Sequence, residues 1–170
     1  GLVANAYNSE AIAKIYQYKN RPADKPLAWL LHSIKQVEEL FIVNETFYQL
    51  AEKFLPGGLT LILNTKDGAQ KQGFRIPNNK VCLNLLEKLN VPLASTSSNI
   101  SSQKSAITAS EVRESFADKD LLILDDDKNI GGIESTVLDI TEENNIVISR
   151  HGAISLEELH SVIPAKAGIH

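Results

Sequence analysis

Strand-sized apolar runs alternate with capped helical segments along this chain, and that alternation restricts its possible folds more than any other feature. Residues 26–32, 59–64, 73–77, 92–95, 121–124, 135–140 and 146–149 read as short strands. Between them, Ala11, Ile12 and Ile15 follow an Asn8 cap at helical spacing. That helix runs to about Tyr18, where Lys19-Asn20-Arg21-Pro22 stops it, because the residue before a proline disfavours the helical region. Ser33 opens a short helix carrying Ile34, Val37 and Leu40, and residues 41–43 read as a further strand. Asn44 or Thr46 caps a helix with Phe47, Leu50, Ala51 and Phe54 on one face. The Asn78-Asn79 pair caps a helix over 81–89, Thr108 and Glu111 have capping-box spacing at the start of 108–116, and a last helix spans 155–162. Pro56-Gly57-Gly58 and Asp67-Gly68 break the chain between elements. Interleaving of this kind predicts one mixed α/β domain, with a serine-rich loop at 96–105 and a disordered tail at 164–170.

Composition narrows the class. The chain has 170 residues, 43% hydrophobic and 22% charged, close to ordinary globular usage and long enough to bury a core. Its one cysteine, Cys82, excludes an internal disulfide framework and a cysteine-rich metal site, which suits a reducing, cytoplasmic setting. No apolar run approaches membrane-span length, so no membrane partner is expected. A net charge of −4 argues against a surface built mainly for nucleic acid, while leaving room for a local basic cleft. There is no methionine, so Gly1 reads as a processed, truncated or engineered start, and residues 1–7 as the end of something longer.

The usual glycine-rich dinucleotide and phosphate loops are absent. His32, His151, His160 and His170 are scattered, with no transition-metal spacing. Several loop junctions carry chemistry instead. In an extended Lys19-x-Arg21 both cations would point to one side and could converge on a polyanion, although alone they read most simply as a solvated pair. Thr96-Ser97-Ser98-Asn99 follows a buried strand, and its hydroxyl and amide groups suit either a ligand or a turn. Ser135-Thr136 stands at a strand entry, where β-propensity explains Thr136 as well as ligand contact does. Arg75 and Arg150 each sit at a strand end. None of these is a nucleophile with a neighbouring base; together they suit charge neutralisation around a polyphosphate.

These segments, with Phe54-Leu55-Pro56-Gly57-Gly58-Leu59-Thr60, Arg75-Ile76-Pro77, Gly132-Ile133-Glu134-Ser135-Thr136-Val137 and Arg150-His151-Gly152-Ala153, resemble in order and spacing the motifs of the YrdC-like threonylcarbamoyl-AMP synthases, short single-domain form. The resemblance runs from Gly1 to about Ile163. It implies a single open domain with a twisted mixed sheet, helices on its faces and a concave basic cavity. It also implies condensation of L-threonine, bicarbonate or CO₂, and ATP with Mg²⁺ into threonylcarbamoyl-adenylate and pyrophosphate. A tRNA threonylcarbamoyl-transfer complex would use the product downstream.

By that resemblance Lys19 and Arg21 are the catalytic cations on the phosphates and the acyl end. Arg75, Ser97, Asn99, Ser135 and Arg150 would join them on ATP, with Ser97, Asn99 and Thr136 on threonine, and no resident protein metal site. Cations are needed because two unit anions 4 Å apart repel by roughly 4 kcal/mol at intermediate dielectric. Gly1-Leu2 resembles the end of the family's proline-threonine-x-threonine-x-tyrosine-glycine-leucine segment. The expectation is therefore a domain over 1–163 without its first strand and without part of its threonine site. The rival readings are a double-stranded RNA or tRNA-binding module, with weak RNA binding, an inactive nucleotide-binding fragment, and a carbamoyl-transfer domain of the hydrogenase-maturation type.

Overall fold

The structure is a computed structural model that describes residues 1–101, 103–125, 132–142, 145–163 and 168–169. The chain divides into two compact units, each made of two segments. The first comprises 1–27 and 92–132, the second 28–91 and 133–170.

In the first unit, strands β1 (Leu2–Asn5) and β5 (Leu93–Thr96) pair antiparallel, with Leu2 opposite Thr96 and Asn5 opposite Leu93. Helix α1 (Ser9–Lys19) starts at Asn8, whose side chain accepts from the Ala11 amide, and ends at Asn20 in the left-handed region at φ 49°. Helix α5 (Ala109–Ser115) has the full capping box expected from Thr108 and Glu111. Among the described residues of this unit, Leu2, Ile15, Leu27, Leu93, Ala94 and Phe116 are the buried apolar side chains.

The second unit holds β2 (Ala28–Leu30), β3 (Leu59–Asn64), β4 (Lys71–Arg75), β6 (Thr136–Asp139), β7 (Asn145–Arg150) and β8 (Gly168–Ile169). They run in the order β2-β4-β3-β6-β7-β8. Parallel pairs (β2 with β4, β3 with β6, β7 with β8) alternate with antiparallel ones (β4 with β3, β6 with β7), so the sheet is mixed, as expected. Helices α2 (Ile34–Leu40), α3 (Glu45–Phe54), α4 (Lys80–Leu89) and α6 (Leu156–His160) belong to this unit. Asn44, not Thr46, caps α3, and Asn79 caps α4. The α3 face of Phe47, Leu50, Ala51 and Phe54 enters a core with Phe41, Phe74, Leu59, Leu61 and Leu138. Its aromatic centre is Phe74, with ring centroids 4.6 Å from Phe41 and 6.1 Å from Phe47.

Two expectations are corrected. Residues 121–124 do not form a strand, and Leu122 is 92% exposed: β-propensity describes how a residue fits a sheet, and it does not supply a pairing partner. Residues 41–43 contribute only an isolated bridge from Phe41 to Thr65. Residues 1–7 contain β1, which the sequence reading did not propose as a strand. Within the tail expected to be disordered, Gly168–Ile169 pair with Asn145 and Ile146, while 164–167 and 170 lie outside the described residues, as does Ser102 of the serine loop.

Candidate functional site

The expected site residues fall into two sets, one in each unit. In the first unit, the end of α1 and the loop after β5 enclose a cavity of about 300 Å³ lined by Lys19, Arg21, Lys25, Ser97, Asn99 and Ser101 among others. Among the described residues its lining includes three cations and no carboxylate. The turn that builds it differs from the extended Lys-x-Arg of the sequence reading. Lys19 is the last helical residue, and Asn20 adopts the left-handed cap conformation that asparagine tolerates, its N–H donating to the Gln17 and Tyr16 carbonyls. The chain thus turns between the two cations, and they take different partners.

Lys19 is buried, and its Nζ donates to the carbonyl oxygens of Ser97 and Asn99 and to Asn99 Oδ1. Arg21 runs along the 25–26 segment: Nε donates to the Lys25 carbonyl at 2.9 Å and Nη2 to the Pro26 carbonyl at 2.9 Å. Its Nη1 lies 3.4 Å from Thr96 Oγ1. A turn over Pro22–Lys25, closed by the Lys25 N–H donating to the Pro22 carbonyl at 3.1 Å, brings the carbonyls of 25–26 back to Arg21. The loop after β5 is tied by its own groups. The Asn99 N–H donates to the Ser97 carbonyl at 3.1 Å, that of Ala106 to Ser98 at 3.0 Å, and that of Ser101 to Lys19 at 2.8 Å.

In the second unit, the start of β6 and the end of β7 hold Ser135 and Arg150 together. Arg150 Nε and Nη2 donate to the Ser135 carbonyl at 3.1 and 2.9 Å, and Nη2 also donates to Ser135 Oγ at 3.0 Å. Glu134 forms an ion pair with Arg150 at 3.1 Å. The buried Thr60 hydroxyl lies 2.7 Å from Ser135 Oγ. Gly152 makes this close approach possible: a Cβ there would stand 2.4 Å from the Glu134 oxygen. Arg75 donates through Nε to the Gly57 carbonyl at 2.7 Å. Burial pushes the Arg75 guanidinium below its usual pKa, and the like charge of Arg150 adds to that effect. The two guanidiniums thus feel each other's charge, and Glu134 offsets that of Arg150 in part.

Thr136 behaves differently from its expected role. It is fully buried, and its hydroxyl both donates to the Ile154 carbonyl at 2.8 Å and accepts from the Ile154 N–H at 2.9 Å. This hydroxyl fastens the turn after β7. Sequence reasoning missed Thr60, Thr96 and Glu134 as partners of site residues. Thr60 and Thr96 lie inside the quoted motifs, so their presence was visible and their direction was not. Among the described residues no group of three His, Cys, Asp or Glu side chains is placed to hold a metal ion. No described helix is long and apolar enough to cross a membrane.

A mixed-sheet α/β protein with cations and small polar side chains concentrated at its loop junctions is the class that fold and site define. The chain belongs to the Sua5/YciO/YrdC family, whose model, described as telomere recombination, matches residues 1–152 and so runs through both units. It is 37% identical over 172 residues to the threonylcarbamoyl-AMP synthase of Pyrococcus abyssi, covering 96% of this chain and 50% of that one. The Bacillus subtilis threonylcarbamoyl-AMP synthase is 34% identical over 173 residues, with 96% and 50% covered. The crystal structure of P. abyssi Sua5 complexed with L-threonine matches with a TM-score of 0.90 at 37% identity, covering 100% of this chain and 52% of that one. The chain thus spans about half the length of these relatives.

Proposed function

We propose that this chain carries out the ATP-dependent condensation of L-threonine with bicarbonate or CO₂ to give threonylcarbamoyl-adenylate and pyrophosphate. The observation that carries this reading is the first-unit cavity. Among the described residues it is lined by Lys19, Arg21 and Lys25 and by no carboxylate, beside a loop of hydroxyl and amide groups. It belongs to a family in which a relative 37% identical to this chain bears the name of that activity.

The chemistry asks for this set of groups. Threonine's amine captures bicarbonate as a carbamate with loss of water, or CO₂ with loss of a proton. A carbamate oxygen then attacks the α-phosphorus of ATP, and pyrophosphate leaves. Attacker and target are both anions, so the protein's part is to orient them and offset charge, with no covalent step on a side chain. Arg21 supplies positive charge in the first unit, and Arg75 and Arg150 supply it in the second. Ser135, bonded to Arg150, belongs to the nucleotide contacts, and Ser97 and Asn99 to the amino acid and nucleotide. Mg²⁺ enters with ATP as its counterion. The product suits a tRNA threonylcarbamoyl-transfer complex in the cytoplasm.

The test is pyrophosphate release by the purified chain with ATP, L-threonine and bicarbonate, with the adenylate identified by mass spectrometry. Release that requires all three supports the reading. Release independent of threonine, or threonine-dependent AMP formation without a carbamoyl product, overturns it.

A further inference from the structure

Lys19 is 1% exposed at the end of α1. Its Nζ lies 2.5 Å from the Ser97 carbonyl oxygen, 2.5 Å from that of Asn99 and 3.1 Å from Asn99 Oδ1. An ammonium has three N–H donors and no acceptor, and these oxygens lie within reach of them. The main chain of the same residue grips the same loop, since the Lys19 carbonyl accepts from the Ser101 N–H at 2.8 Å.

The orientation of Asn99 follows from its neighbours. Its Nδ2 faces two carbonyls, Ile100 at 3.1 Å and Gln103 at 2.7 Å, which leaves Oδ1 turned toward Lys19 and Ser97. The Ser97 hydroxyl donates to that Oδ1 at 2.5 Å. Its proton is thereby committed, and what it offers a ligand is a lone pair. A lone pair accepts from an N–H or O–H and does not bind a phosphate oxygen. Arg21 is the opposite case. A guanidinium carries five N–H donors, and the contacts to Lys25, Pro26 and Thr96 engage three of them.

We propose that Lys19 is a positioning residue. It builds the 97–99 loop and fixes Ser97 as an acceptor for a donor group of the amino-acid substrate, and it leaves the polyphosphate to Arg21. This rests on the reading of the chain as a threonine- and ATP-using enzyme. Replacing the ammonium by an apolar chain of similar length would strand the Ser97 and Asn99 oxygens in a buried setting and loosen the loop that aims the Ser97 hydroxyl.

Three measurements on the full chain test it. In ligand-free Lys19→Met, amide exchange at Asn99, Ser101 and Ala106 should quicken at least tenfold while exchange in β3 and β4 is unchanged; unaltered exchange at the loop overturns the proposal. In kinetics and titration, Lys19→Met should raise the threonine KM at least tenfold and weaken ATP and AMP by a common factor. A loss confined to ATP over AMP, with threonine KM unchanged, identifies a direct phosphate ligand and overturns it. Should Lys19→Met fail to fold, the wild-type chain labelled with ¹⁵N at lysine side chains decides the matter. A slowly exchanging Lys19 ammonium whose shift is unmoved by ATP supports positioning, and a scalar coupling from Nζ to an ATP phosphorus overturns it. If neither ATP nor threonine binds the wild-type chain, the functional reading fails, while exchange at 97–106 still decides whether Lys19 builds the loop.

Discussion

Arg21 has its side chain held along the 25–26 carbonyls before any substrate arrives. Preorganised charge of this kind contributes most when charge develops in the transition state. Arg21→Ala should therefore lower pyrophosphate release by roughly 100-fold or more, with the melting temperature little changed. Undiminished release would remove Arg21 from the chemistry. In the second unit, Thr60 and Ser135 share a buried hydroxyl pair that supports Arg150. Thr60→Val keeps the shape and removes the partner, so it should cost about 1–2 kcal/mol in urea unfolding and weaken nucleotide binding. Thr60 was legible in the sequence only as part of a proline-glycine motif. That its hydroxyl meets Ser135, 75 residues away, is a property of the β3–β6 pairing.

At the scale of elements, local signals were read well where the physics is local. The caps at Asn8, Ser33, Asn44, Asn79 and Thr108 each satisfy an orphan amide within three residues, so short windows of sequence contain them. Strand ends were read less well, because a partner decides them. Asp139 at the end of β6 shows how such an end is held. Its Oδ1 accepts from the Thr141 N–H at 3.0 Å and hydroxyl at 2.6 Å, and Lys71 of β4 pairs with Oδ2 at 3.2 Å. Burial by itself would raise this carboxyl's pKa; the Thr141 hydrogen bonds and Lys71 outweigh it and hold the group below its usual value. A depressed carboxyl stabilises the fold above its unfolded pKa, near 3.9, and loses that contribution as pH falls through the folded value. The difference in melting temperature between wild type and Asp139→Asn should be full at pH 7 and shrink below about pH 4. A difference independent of pH would exclude the charge as its source.

At the scale of the molecule, the apolar core is concentrated in the second unit, where Phe74 is fully buried among Phe41 and Phe47. Truncating such a ring removes transfer energy and leaves a cavity, so Phe74→Ala should cost roughly 3–5 kcal/mol. That is a large part of the about 5–15 kcal/mol of a typical domain, and urea unfolding should show a correspondingly lower midpoint. A change below about 1 kcal/mol would mean that the ring is not packed as described. The sequence by itself determined the mixed α/β class, the helix starts and the family, because alternation, caps and ordered motifs are written in neighbouring residues. Tertiary structure alone decided which runs became strands: residues 1–7 supplied one and 121–124 did not. It also decided which polar groups turn toward a cavity. Lys19 and Arg21 stand two residues apart, yet the left-handed turn at Asn20 sends one amine into a loop and leaves the other cation donors to spare. Thr136, next to Ser135, turns its hydroxyl to the Ile154 main chain. A side chain's partner is set by long-range pairing, and residue type and spacing carry no record of it.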